Sequence, residues 1–167
     1  VIGRAPTGTG KTYAFGVPIV ERIDPESKDV QALVLAPTRE LSIQIAEDLR
    51  ELCRFKPSVR VLVAYGGQPI KKQLTQLEKK PQIVVATPGR LQDHMNRKSL
   101  SIRAVKIAIL DEADEMLDMG FYKDVRKILD RLPKKRQLCM FSATMSRPVM
   151  DISWLYQRDE VELSVDA

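Results

Sequence analysis

Five short apolar runs constrain this chain's fold more than any other feature. They are Val30–Leu35, Val59–Ala64, Ile83–Ala86, Val105–Leu110 and Leu138–Phe141. Each is rich in β-branched residues and nearly continuous in its apolar character. A strand with one wet face alternates apolar and polar side chains. A nearly continuous strand is covered on both faces, as in a parallel sheet between two helical layers. Segments of helical spacing separate the runs: Lys11–Ile23, Arg39–Cys53, Ile70–Leu77, Gly89–Met95, Tyr122–Leu132 and Pro148–Leu155. In the second of these, Leu41, Ile45, Leu49 and Leu52 share one face. Alternating strands and helices predict an α/β fold of three layers, with a mostly parallel sheet flanked by helices and right-handed crossovers. The opening Val1-Ile2-Gly3 reads as the end of a further strand. The chain is therefore expected to be one domain, residues 1–167, excised from a longer protein.

The 167 residues are enough to bury a core without disulfides. No apolar run approaches the roughly 18 residues of a membrane span, and no targeting segment is visible. Cys53 and Cys139 are not spaced as metal ligands, and His94 is the only histidine, so no zinc cluster can be assembled. Two reduced thiols in an intracellular protein, cytoplasmic or nuclear, are expected. The net charge of +5 permits a nucleic-acid partner without specifying one. The polar loop at residues 24–29 and the basic loop Lys134-Lys135-Arg136 read as solvated connections.

The strongest chemical signal is Ala5-Pro6-Thr7-Gly8-Thr9-Gly10-Lys11-Thr12, which follows a short apolar strand and opens a helix. Gly8 and Gly10 let successive backbone N–H groups turn inward, and with the helix N-terminus they form a concavity for phosphate. Lys11 places a point charge on the outer phosphates, and the Thr12 hydroxyl is placed to ligate Mg²⁺. The general form of this loop has a glycine where Ala5 stands.

A second signal is Asp111-Glu112-Ala113-Asp114, directly after the run Val105–Leu110. Ligands of open parallel sheets bind outside the carboxyl ends of the strands, where the phosphate loop also lies. Asp111 then suits Mg²⁺, held partly through water, and Glu112 suits orienting or deprotonating the attacking water. Taken alone, the segment reads better as an acid-rich helix start; beside the Gly-Lys-Thr loop, the nucleotide reading prevails.

The chain also carries Pro37-Thr38-Arg39-Glu40-Leu41-Ser42-Ile43-Gln44, Gly66-Gly67, Thr87-Pro88-Gly89-Arg90 and Ser142-Ala143-Thr144. In order and spacing, these motifs together with Asp111–Asp114 resemble the DEAD-box ATP-dependent RNA helicases of superfamily two. The likeness covers nearly the whole chain. Ala5 in the phosphate loop is that family's habit, whereas Ser42 departs from its usual alanine and is expected to be neutral. The resemblance implies the N-terminal RecA-like domain of a two-domain enzyme, using ATP and Mg²⁺, with Lys11, Asp111 and Glu112 as catalytic groups. It implies RNA-backbone contacts from Pro37, Thr38, Arg39, Gln44, Gly66, Gly67, Thr87, Pro88, Gly89 and Arg90. It further implies that Ser142, Ala143 and Thr144 couple the ATP site to RNA through Asp114. The partners implied are RNA and the second RecA-like domain, with no membrane and a monomeric fragment. The adenine-reading glutamine segment and the second domain, with its arginines, are expected to lie outside this chain.

The residue chemistry agrees with that picture. Thr38 and Thr87 stand where helix N-caps stand, and Pro88 suits a first helical position. Helix starts offer free N–H groups to phosphate, and Arg39 and Arg90 can add forked donors. Singly, each is an ordinary cap or turn. Together they form phosphate sockets that position RNA without reading its sequence. Aromatic residues make up only 5% of the chain, which argues against base-stacking specificity. An ATP-gated RNA clamp and a DNA translocase remain as alternatives, and the isolated chain is expected to be nearly inactive.

Overall fold

The structure is a computed structural model that describes residues 2–4, 11–157 and 162–164. Seven strands form one sheet: β1 Ile2–Arg4, β2 Ala32–Leu35, β3 Val61–Ala64, β4 Ile83–Ala86, β5 Ile107–Leu110, β6 Gln137–Ser142 and β7 Glu162–Ser164. Their spatial order is β3-β4-β2-β5-β6-β1-β7, and every pairing is parallel. The helices are α1 Lys11–Arg22, α2 Arg39–Leu52, α3 Ile70–Leu77, α4 Pro88–Asn96, α5 Ala113–Met116, α6 Tyr122–Asp130 and α7 Arg147–Tyr156.

The apolar runs are buried on both faces, as their composition predicts. On one side Ala32, Val34 and Ile109 pack with Phe15 and Ile19 of α1 and Ile45 and Leu49 of α2. On the other, Leu33, Leu35 and Leu110 pack with Leu91 of α4, Ile128 of α6 and Ile152 of α7. Two cores therefore share one sheet.

Three strands begin two residues later than the apolar runs suggest. Val30, Val59 and Val105 are buried, yet they precede the ladder. The Val59 N–H donates to Lys56 O at 2.9 Å and the Val105 N–H to Ile102 O at 3.2 Å, which are turn bonds. Burial accounts for their apolar character without strand pairing. Buried Gln82 closes this end of the sheet: its Oε1 accepts from Arg60 N at 2.9 Å and its Nε2 donates to Ser27 O at 3.2 Å. β7 was not anticipated from its sequence, although Val161, Leu163 and Val165 alternate with polar residues as a strand with one wet face does.

Gly16 lets α1 lie close against α2. A Cβ at this position would sit 2.7 Å from Leu52 Cδ1 and 3.1 Å from Leu49 Cδ2. Gly16→Val is expected to cost about 1–3 kcal/mol through overpacking. In a double-mutant cycle read by denaturant melts, Leu52→Ala should recover part of that loss. Strictly additive costs would show that the approach of α1 to α2 does not depend on this glycine.

Candidate nucleotide and RNA site

The phosphate-loop residues Ala5–Gly10 lie outside the described residues, as does the Lys11 side chain. Their position follows from what flanks them: β1 ends at Arg4 and α1 begins at Lys11, with Thr12 half-buried in its first turn. Because all strands are parallel, this loop leaves the same sheet edge as the segment after β5. Only β6 separates β5 from β1, so the two segments leave strands about 10 Å apart.

Asp111 is fully buried at the end of β5. Its N–H extends the ladder to Leu35 O at 2.9 Å, and its Oδ1 accepts from Glu112 N at 3.0 Å. A carboxylate so buried needs donors or a cation around it. With the Thr12 hydroxyl it offers the hard oxygen donors that suit Mg²⁺. Glu112 follows in the left-handed region, at φ 49° and ψ 52°. For a non-glycine residue that costs roughly 1–2 kcal/mol. The turn swings the chain from β5 into α5, and the Glu112 side chain does not cap that helix. The acid-rich helix start is therefore not a simple capping arrangement.

The third acid of the motif faces the Ser142-Ala143-Thr144 segment at the end of β6. Asp114 Oδ2 accepts from the Thr144 hydroxyl at 2.9 Å and from Thr144 N at 3.2 Å. Ser142 Oγ accepts from Asp114 N at 3.2 Å and donates to Thr144 O at 2.6 Å. Burial works to raise the Asp114 pKa, but the bonds from Thr144, Glu115 N–H and Ser142 outweigh it and hold the carboxyl below its ordinary value. This link is thus fully present above the ordinary carboxylate range and is lost as pH falls through the folded value. Ala143 is exposed between its two bonded neighbours.

The segments after β2, β3 and β4 gather farther along the same edge. Thr38 caps α2, its Oγ1 accepting from Leu41 N at 3.2 Å. Buried Ser42, in the place of the usual alanine, donates its hydroxyl to Thr38 O at 2.8 Å and so leaves no orphaned group. Pro37 is buried, while Arg39 and Gln44 are exposed on α2. The Arg39 guanidinium lies over the Tyr65 ring, 5.0 Å from its centroid, beside the exposed Gly66-Gly67 turn. Gly67 has φ 89°, a conformation that favours glycine. Thr87 precedes α4, with Pro88 in its first turn, but its hydroxyl does not cap the helix. Gly89 is exposed.

Arg90 is engaged within the protein. Its Nη1 donates to Gln68 O at 2.9 Å and to Gln73 Oε1 at 3.1 Å. Gln73, buried in α3, donates Nε2 to Tyr65 O at 3.1 Å and to Gln68 Oε1 at 2.8 Å. Its Oε1 also meets Nε2 of fully buried His94 at 2.7 Å. Arginine can only donate, so the Gln73 oxygen faces Arg90 and His94 Nε2 must carry a proton. The other ring nitrogen sits 2.9 Å from Ser99 Oγ. Arg90, Gln73 and His94 therefore tie α3 and α4 to both sides of the glycine turn. The sequence offered Arg90 as a phosphate contact, gave His94 no role beyond excluding a zinc cluster, and left Gln73 unremarked. The available signal was a glutamine and a histidine on the inward faces of two amphipathic helices.

Cys53 and Cys139 are free and buried, and burial raises both thiol pKa values. Neither is the activated thiolate of a nucleophile.

The buried carboxylate and the segments after β2, β3 and β4 thus share one sheet edge, and comparisons with known proteins show the family to which such a chain belongs. The family model for the DEAD/DEAH box helicase matches residues 1–152, and the chain belongs to that family. The DEAD-box ATP-dependent RNA helicase CshA of Bacillus licheniformis is 50% identical over 167 residues, covering 100% of this chain and 34% of that protein. The ATP-dependent RNA helicase CshA of Listeria monocytogenes is 53% identical over 152 residues, covering 91% of this chain and 29% of that protein. The chain thus spans about a third of the length of these relatives. Among solved structures, the yeast DEAD-box splicing factor Prp28 superposes with a TM-score of 0.92 at 33% identity, covering 99% of this chain and 41% of that one. A DEAD box protein from Methanococcus jannaschii gives 0.89 at 40% identity, covering 99% and 45%. The fold is the RecA-like domain of this family.

The His94 cluster predicts a pH response. Burial lowers the His94 pKa below its ordinary 6.5, aided by the positive charges of Arg90 and Arg97 and opposed by Asp93. Below pH 6.5 the unfolded chain takes up a proton that the folded ring resists, so stability is complete above that value and declines beneath it. Melts between about pH 7.5 and about pH 5.5 should show a decline that is shallower in His94→Gln. An identical pH slope in the variant would remove His94 as its source.

Proposed function

We propose that the intact protein is an ATP-dependent RNA helicase. In this reading the domain binds ATP-Mg²⁺ and the RNA backbone, and works with a second RecA-like domain to couple hydrolysis of ATP, to ADP and phosphate, to unwinding or remodelling of RNA. The observation that carries the reading is the Asp114–Thr144 link. It joins the segment after β5, which holds the candidate nucleotide carboxylates, to the segment after β6, the pair expected to transmit nucleotide state. The relatives' names, which call them ATP-dependent RNA helicases, support the same reading.

Lys11 would meet the outer phosphates, and Thr12 and Asp111 would hold Mg²⁺, partly through water. The ion would neutralise charge developing on the transferring group. Glu112 would orient the attacking water and accept its proton. Thr38, the turn at Gly66-Gly67 and the start of α4 would present N–H groups to RNA phosphates. Arg39 would add its forked donors while resting on Tyr65.

In the full-length protein, Lys11→Ala is expected to weaken ATP binding strongly without unfolding the domain. Glu112→Gln should retain ATP and RNA binding while RNA-stimulated turnover collapses. Nucleotide titration and phosphate release check the two. Unchanged ATP affinity in the first, or parental turnover in the second, would remove that residue's assignment.

The isolated 167-residue chain should turn over slowly even with RNA present. Arginines contributed from an opposing surface are worth about 10³–10⁵ in rate in related phosphoryl transfer, and without a covering lobe the phosphates stay in water. Brisk RNA-stimulated hydrolysis by the isolated chain would overturn the two-domain mechanism.

A further inference from the structure

β3 is the edge strand of the sheet, and its open side is a basic groove. Two adjoining hollows, ≈ 510 Å³ and ≈ 450 Å³, run along it and share Arg50, Gln76 and Lys79 in their walls. The first adds Arg60, and the second adds Lys72 and Gln68. No acidic residue lines either hollow. Arg60, Lys72 and Lys79 are exposed and form no salt bridge among the described residues. Past Lys79 a third hollow brings in Glu26 and Glu78, and there the purely basic strip ends.

Resting on the RNA reading above, we propose that this groove is an extension of the RNA path, taking the phosphates of a single strand that leaves the Gly66-Gly67 turn. Two observations favour RNA over a peptide. First, the groove is continuous with the candidate RNA edge: Gln68, which lines it, directly follows that turn and is bonded to Gln73 and Arg90. Second, the strand edge is partly capped against a pairing peptide. Arg60 O and Ala64 O accept from β4-side N–H groups, so the intervening Val61 and Val63 carbonyls face outward. The Arg50 Nη2 donates to Val61 O at 3.0 Å and so occupies one acceptor of the ladder that an added strand would need. What remains is a row of point charges on flexible stems over an open floor. The four residues of β3 span about 13 Å, room for a few nucleotides. Charges of this kind hold a flexible polyanion without demanding a sequence.

The test uses the full-length protein with Arg60, Lys72 and Lys79 all replaced by Gln, which leaves the capping Arg50 in place. Fluorescence anisotropy would measure binding of an RNA of about six nucleotides and one of about twenty. The longer RNA should lose at least tenfold in affinity, and the slope of its log affinity against log salt should fall by about 2, since each single-strand phosphate contact contributes roughly 0.7. The short RNA, filling only the motif edge, should bind as before. Unchanged affinity and salt slope for the longer RNA would overturn the proposal. So would an equal loss for both lengths, or unchanged RNA binding together with loss of a poly-glutamate peptide that the parent binds. Arg39→Glu separates the two levels: it should weaken both lengths, and an unaffected short RNA would defeat the underlying edge reading rather than the groove.

Discussion

Parallel pairing of β2 with both β4 and β5 is the constraint on which the rest of the site depends. Ala32–Leu35 are in register with Ile83–Ala86 on one side and Ile107–Leu110 on the other. In a parallel sheet the chain must cross back over a face before each new strand, so all strands end on the same edge. Residues 36, 87 and 111 are thereby brought level without any contact of their own to specify it. The ladder runs one step past the strands, through Ala36 N to Ala86 O and Asp111 N to Leu35 O. Chemistry can then be written into the loops at that edge, while the opposite edge is closed by Gln82, which bonds to backbone.

The fold was legible because near-continuous apolar runs admit few arrangements other than a sheet covered on both faces. The same property blurred the strand starts. Val59 and Val105 are apolar because they are buried under turns, and a hydrophobic pattern reports burial rather than pairing. The positions of Thr38 and Asp111–Asp114 were legible because their residue types are tied to backbone positions, a cap and a strand end, whereas Ser142–Thr144 stood out only through the family resemblance. The phosphate loop was the plainest signal of all, and its internal geometry lies outside the described residues.

Gln73, His94 and the engagement of Arg90 were not legible, because each depends on a contact across elements. A glutamine on an amphipathic helix looks like a solvated residue until the glycine turn of another segment is packed over it. An arginine in a phosphate-binding pattern does not show from sequence that one of its nitrogens is also held by Gln68 and Gln73. The cluster also limits what can be replaced. Removing Gln73 would leave the Tyr65 carbonyl, the His94 N–H and one Arg90 donor without their present partner at once, and buried groups left so cost about 1–3 kcal/mol each.

The two hydrogen-bonded clusters at this edge differ in how firmly they are held. Gln73, His94 and Arg90 are largely buried and multiply bonded, so the glycine turn and the start of α4 move as one unit. Asp114 and Thr144 meet near the surface, beside a residue held at positive φ. A left-handed Glu112 stores roughly 1–2 kcal/mol of backbone strain, comparable to one or two net hydrogen bonds. On the proposed reading, nucleotide chemistry at Asp111 and Glu112 would change the Asp114–Thr144 link at small cost. The turn at Gly66-Gly67 would have to break several buried bonds to respond in the same way. If the proposed roles hold, the physical expectation is a fixed RNA socket and a movable coupling segment, with the division between them set by burial.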